Sequence, residues 1–209
     1  MHPPDCPAWE YDTHPQRGAI LPLRVSQILV ALGSGAMDTL HLATDTREVH
    51  RQMFEELVPA GCEYYAGHYR GEPFRCLRFY RVGIQADPRV GALPGSVAFR
   101  MRELSDEIRA GMIALDVNVL LTPRERLRYI LALTCHAFVI FLTVHPYVNG
   151  NGHAGRLIVW SIMGRYGHWP RRWPVEPRPS DPAYLQLIVQ YRNGDPIPLE
   201  RHLLQTLVG

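Results

Sequence analysis

Apolar residues recur at helical spacing along most of the chain. Val25, Ile28, Leu29 and Leu32 fall on one face of a helix that begins near Leu21, because residues three and four apart share a helix face. Gly33-Ser34-Gly35 interrupts it. Val49, Met53 and Phe54 predict a second helix over about 45–57, ended by Pro59 to Gly61. Residues 74–86 follow another pattern. Phe74, Leu77, Phe79, Tyr80, Val82 and Ile84 favour extended backbone, and Asp87-Pro88 supplies a turn, so a strand or short hairpin is expected there. Helix resumes near Ser96, with Val97, Met101, Leu104 and Ile108 on one face.

The clearest helix start lies at Thr122. Thr122 is a good N-cap, Pro123 takes the first helical position, and Glu125 completes a capping box. The helix should run to about Val144. Ile130, Leu131, Leu133, Ala137, Phe138, Ile140, Phe141 and Leu142 surround most of its circumference, which marks it as the central buried helix. Another helix is predicted from about Gly152 or Ala154 to Tyr166, stopped by Gly167. Pro170, Pro174, Pro177 and Pro179 then mark a linker, and two short helices follow over 182–191 and 197–207. Residues 1–20 carry Pro3, Pro4, Pro7 and Pro15 with few core-forming side chains, and are expected to be a flexible arm. The expected fold is mainly α: a single domain over 21–209, with the helices of 182–207 packed on it.

Composition narrows the function classes. The chain has 209 residues, of which 46% are hydrophobic, ample for one core. Its net charge of +2 argues against a dedicated nucleic-acid-coating protein. The longest apolar stretch, Tyr129 to Val144, holds Cys135 and His136 and falls short of the ~20 residues of a membrane span. The opening residues lack the apolar core of a secretory signal. Cys6, Cys62, Cys76 and Cys135 show no C-x-x-C spacing and are expected to be free thiols. A cytoplasmic protein, or an effector delivered by another route, fits these features.

One run carries the candidate chemistry: His145-Pro146-Tyr147-Val148-Asn149-Gly150-Asn151-Gly152-His153-Ala154-Gly155-Arg156. It lies between two predicted helices. The first N–H groups of the second helix lack intrahelical partners and sit at the positive end of its dipole, which favours an anion. Gly150 and Gly152 allow close backbone approach. Arg156, one turn past His153, presents a permanently charged fork suited to phosphate oxygens. His145 ends the preceding helix, and histidine can accept a proton at neutral pH. A base beside a bound phosphate is the arrangement for attack of a hydroxyl on phosphorus.

The run resembles the signature of the Fic (filamentation induced by cAMP) family, H-P-F-x-D/E-G-N-G-R-x-x-R. Weaker likenesses surround it. Phe141 to Val144 is similar to the family's lead-in, Val49 to Phe54 to an upstream I-H-R-x-L-F helix, Ala66 to Arg70 to an A-G-x-Y-R segment, and Asn193 to Leu199 to a C-terminal G-D-x-x-P-L pattern. The resemblance implies a helical bundle with a small β-hairpin flap, here residues 75–86, which holds a target segment as an added strand. It implies transfer of AMP from ATP to a Tyr, Thr or Ser hydroxyl of a target protein, with His145 as general base. Asn149, Gly150, Asn151, Gly152, His153 and Arg156 would bind the nucleotide phosphates.

Two positions depart from that signature. Asn149 replaces the carboxylate that binds Mg²⁺; an amide oxygen can ligate the ion but brings no charge. His153 replaces an arginine and offers fewer donors. Ser34 and Asp38 resemble a degraded copy of the family's inhibitory S/T-x-x-x-E-G/N helix; without a working copy, an antitoxin-like protein or self-association would restrain the enzyme. The alternatives are a catalytically silent Fic-like module that binds a nucleotide or a partner, and an enzyme using another nucleotide or a phosphocholine donor. No H-E-x-x-H or comparable zinc set is present.

Overall fold

The computed structural model describes residues 6–83, 87–179 and 182–207. Among these it contains eight α-helices and no β-strand: α1 (Arg17–Gly33), α2 (Thr39–Thr44), α3 (Arg47–Phe54), α4 (Pro94–Val117), α5 (Pro123–Val144), α6 (Asn151–Arg165), α7 (Pro182–Arg192) and α8 (Ile197–Gln205). The mainly α expectation holds. The unforeseen element is α2. Asp38 caps it by accepting from the His41 N–H at 2.6 Å, a local bond invisible to hydrophobic periodicity.

Helix α5 is the central element, packed on α4, α6 and α8. Its start is as predicted: Thr122 Oγ1 accepts from the Glu125 N–H, and Glu125 accepts from the Thr122 N–H. By length and hydropathy α5 would also pass for a membrane-crossing helix. Here Ile130, Ala137, Phe138 and Phe141 are instead fully enclosed by protein. On one side Phe141 and Ala137 meet α4 and α6 through Val97, Leu104, Ile108 and Ile158. On the other, Phe138 and Cys135 meet Val159, Trp173, Tyr184 and Leu199.

The flexible-arm expectation does not hold for residues 6–20. Trp9 is 3% exposed and Tyr11 7%, and Trp9 Nε1–H donates to the Leu57 carbonyl at 2.8 Å. Helix α1 begins at Arg17, four residues before the predicted start. The aromatic residues, not the prolines, determine this segment's behaviour, because burying two large rings outweighs the ordering cost of a short loop. Residues 1–5 lie outside the described residues.

The free-thiol expectation holds for Cys62 and Cys135 and fails for the other pair. Cys6 and Cys76 form a disulfide across 70 residues, with Cα atoms 5.7 Å apart. A pairing over that separation leaves no spacing signature to read.

The hairpin expectation also fails for residues 75–83, which form turns and irregular backbone; 84–86 lie outside the described residues. The apolar residues here plug the core instead of alternating across a sheet. Cys76 and Leu77 are buried. Phe74 stacks on Tyr64 with ring planes 6° apart, and the Arg78 N–H closes a turn on the Phe74 carbonyl.

A disulfide closing a loop of this length contributes about 4 kcal/mol by restricting the unfolded chain. Replacing both Cys6 and Cys76 by Ser should therefore lower unfolding free energy by about that amount, read from urea denaturation of the oxidised protein against the double variant. Equal midpoints would show that the bridge adds nothing.

Candidate phosphate and proton-transfer site

The motif forms one tight turn between α5 and α6. His145 ends α5 in the left-handed region (φ 54°, ψ 62°); among the described residues it is the one non-glycine at positive φ. Gly150 enters α6 at φ 75°. A Cβ there would lie 2.5 Å from the Phe54 ring and 2.9 Å from His50 Nε2, so the position requires glycine on steric grounds as well.

The turn is closed from within. Asn151 Oδ1 accepts from the Tyr147 N–H at 2.9 Å, and its Nδ2–H donates to the Tyr147 carbonyl at 3.0 Å. The Tyr147 ring, fully buried, stacks on His50 at 3.7 Å with planes 11° apart, and its hydroxyl bonds Thr46 Oγ1 at 2.8 Å. His50 joins α3 to the turn: Nδ1 accepts from the Gly67 N–H and Nε2–H donates to the Asn149 carbonyl, both at 3.0 Å. These bonds define a neutral tautomer. Burial pushes the His50 pKa down to about 3, against the lesser opposing pull of the Asn149 carbonyl.

His145 is held by its backbone. Arg70 Nε–H donates to the His145 carbonyl at 2.9 Å, and the Arg70 N–H donates to the Pro146 carbonyl at 2.8 Å. Its imidazole Nδ1 is buried without a hydrogen-bond partner among the described residues. Desolvation, then the Arg70 charge, lowers its pKa to about 4; the Leu142 carbonyl pulls the other way. The ring is neutral at pH 7.

The groups expected to meet phosphate, Gly152, His153 and Arg156, lie together, and the two side chains are covered. Arg156 is 2% exposed. Its Nε and Nη2 donate to the Val175 carbonyl at 3.1 and 2.9 Å. Its Nη1 lies 3.0 Å from where a Cβ on Gly152 would stand, so Gly152 lets the guanidinium lie against the start of α6. His153 Nε2–H donates to Glu176 Oε2 at 2.6 Å, and Glu176 Oε1 pairs with Arg17 at 2.7 Å. The Tyr11 hydroxyl reaches His153 Nδ1 at 3.5 Å. Burial lowers the His153 pKa, although Glu176 opposes it. Glu176 itself stays below the ordinary carboxylate value, because His153 and Arg17 together outweigh its desolvation.

Neither predicted inhibitory residue reaches this cluster. Ser34 is exposed and donates to the Ala31 carbonyl, and the exposed Asp38 caps α2. The Mg²⁺ expectation at Asn149 does not fit the donors present. Asn149 Oδ1 accepts from the Gly150 N–H and its Nδ2–H donates to the Trp9 carbonyl, both at 2.9 Å. No group of three or more His, Cys, Asp or Glu side chains able to hold a metal exists among the described residues. The short amide is engaged at both ends in fastening the N-terminal segment to the turn.

Sequence reading missed Tyr11, Arg17 and Glu176, which lie in the presumed arm, in α1 and in the proline-rich linker. It also missed Tyr184. That hydroxyl is buried without a partner among the described residues, and it favours the charged form of Arg156. The one available signal was the pair Trp9 and Tyr11, too apolar for a solvated arm.

No family model matches the chain, and no curated protein does. Among solved structures, the fold is similar to that of BepC, a VirB-translocated effector protein of Bartonella tribocorum, in a crystal structure with bound AMPPNP. The identity is 13%, the TM-score 0.51, and the match covers 89% of this chain and 85% of that one. At that identity the likeness shows the fold, which is Fic-like.

The histidines make the fold acid-sensitive. His50 titrates near 3 when folded and near 6.5 when unfolded, so its contribution is present above pH ~6.5 and is lost as pH falls toward the folded value. Stability at pH 5 should be on the order of 2 kcal/mol below that at pH 7 from His50 alone. Chemical denaturation at the two pH values tests this. The slope should flatten in His50→Gln, and an identical slope would assign the acid loss to other groups.

Proposed function

We propose that this chain is a Fic-type protein adenylyltransferase. It transfers AMP from ATP to a Tyr, Thr or Ser hydroxyl of a target protein. One observation carries the reading: a single turn, fixed at both ends, joins His145, whose imidazole is neutral, to the N-terminus of α6, where Gly152 leaves room for the Arg156 guanidinium. The Asn151 and Gly152 N–H groups lie in the first helical turn, where helix geometry provides no carbonyl for them. They and Arg156 can hold phosphate oxygens and stabilise charge developing at phosphorus. His145 accepts the hydroxyl proton as oxygen attacks the α-phosphorus, and pyrophosphate leaves. A base with a pKa near 4 is weak, but phosphates beside it would raise that value by adding negative charge. The likeness to a structure holding an ATP analogue supports nucleotide binding.

On this reading the covered arrangement is a closed form of the site. The Val175 carbonyl and the Glu176 carboxylate stand where nucleotide oxygens would engage Arg156 and His153. Glu176 would then supply restraint from within, in the place of an antitoxin-like inhibitor. The same closure supports the second reading, a silent Fic-like module that holds its fold through these contacts and binds a partner. A Fic enzyme using a different donor is the outcome to consider if ATP alone fails. The Cys6–Cys76 bridge favours a setting with an oxidising passage, as for a delivered effector, over a purely cytoplasmic one.

His145→Ala should abolish transfer and leave the fold intact, measured as AMP adducts on lysate proteins by mass spectrometry together with circular dichroism. Undiminished adducts would remove His145 as the base. Glu176→Ala should tighten ATP-analogue binding by at least about tenfold, equivalent to ~1.4 kcal/mol, in calorimetric titration. Unchanged or weaker binding would show that Glu176 does not compete with the nucleotide.

A further inference from the structure

Arg70 is the large buried charge that the proposed chemistry leaves unexplained. It is 1% exposed, and no carboxylate among the described residues pairs with it. Burial pushes its pKa down to about 10, so it stays charged at neutral pH. An uncompensated buried cation costs several kcal/mol unless its donors are all used. Here they meet carbonyl oxygens: Nε on His145 at 2.9 Å, Nη1 on Tyr80 at 3.0 Å, and Nη2 on Ala92 and Val144, each at 3.1 Å. Two of these carbonyls end α5, where the helix dipole is negative. A third anchors the segment after the Cys76 bridge.

The His145 backbone explains why a fork is needed. A β-substituted residue at positive φ costs about 1–2 kcal/mol and persists when its surroundings hold it. Arg70 grips the residue from both sides: its side chain takes the Val144 and His145 oxygens and its backbone N–H takes that of Pro146.

We propose that Arg70 is a positioning residue for the transfer reaction: its fork and its backbone N–H hold His145 in the left-handed turn and set a positive charge against that residue. The proposal rests on the adenylyl-transfer reading for its catalytic meaning, and on geometry alone for the hold. The guanidinium is bonded to the His145 carbonyl at 2.9 Å, and its charge opposes a second positive charge on the ring. The other charged group acting on His145 is Arg192, at the end of α7, which bonds Asp87 at 3.1 Å; Asp87 also pairs with Arg89. Asp87 is shared by two guanidinium groups and offsets Arg192 only in part, so both arginines disfavour a charged ring and Arg70 is the stronger.

The test is the titration of the His145 ring by nitrogen-detected NMR between pH 4 and 8, in the full oxidised chain. In the wild type the ring should stay neutral over most of that range. In Arg70→Gln, which keeps two polar contacts and removes the charge, its proton affinity should rise roughly tenfold toward the ordinary histidine value of ~6.5. An unchanged titration in a folded Arg70→Gln would overturn the proposal and leave Arg70 a structural clamp. Should that variant not fold, Arg70→Lys decides. It retains the charge without the fork, so the low titration should persist while the transfer rate falls at least tenfold at unchanged nucleotide KM. A histidine of ordinary affinity, or a full rate, in Arg70→Lys would overturn the proposal. No transfer in the wild type would count against the adenylyl-transfer reading, and the titration alone would still settle what Arg70 does to His145.

Discussion

Everything at the site depends on how the C-terminus of α5 is closed. A helix leaves its last four carbonyls without partners, and here that end is enclosed by protein. The Gly91 and Ala92 N–H groups take the Thr143 and Val144 carbonyls at 2.9 and 3.1 Å. Arg70 takes Val144, His145 and Pro146 through its side chain and its backbone. Glycine is the usual residue at such a helix end. Histidine stands there because these bonds determine the turn, whatever the side chain prefers. The result is a titratable residue whose backbone is held in place at a closed helix end.

The rest of the turn extends that closure toward α6. Asn151 bonds both polar backbone groups of Tyr147, His50 bonds the Asn149 carbonyl, and Phe54 leaves no room for a Cβ at Gly150. Beyond the turn, the same economy of bonds shuts the phosphate side. Arg17, Glu176 and His153 make a compact chain of charge and hydrogen bonds, with Arg156 against Val175. In a low-dielectric site these contacts are strong, so opening requires a competitor of similar charge. On the proposed reading, a nucleotide triphosphate is that competitor. Glu176 then takes the restraining role for which Asp38 was the sequence candidate. Asp38 cannot take it, because its carboxylate is short, exposed and bonded to the His41 N–H.

The long helices and the motif were legible in the sequence because each rests on local rules. Period and capping place α5, and the glycines of 150–152 place the turn. The missed features share one cause: they join residues far apart. Cys6 finds Cys76, Trp9 finds Leu57 and Asn149, and Glu176 finds His153 and Arg17. None of these pairs has a spacing that a single sequence displays. The apolar residues around Phe74 to Ile84 misled for a related reason. Their β-propensity is real, but through residue 83 burial of Cys76 and Leu77 and stacking of Phe74 on Tyr64 decide the backbone. Asn149 was read as a weakened metal ligand; it is the fastening point of the N-terminal segment.

The central claim is that the turn from His145 to Gly152 receives nucleotide phosphates. Amide NMR of the oxidised protein during titration with a non-hydrolysable ATP analogue tests it most directly. The account predicts that the Asn151, Gly152 and His153 amides and the Arg156 side-chain signals move first and saturate together. Shifts confined to other parts of the molecule, or none at millimolar analogue in both the wild type and Glu176→Ala, would contradict it.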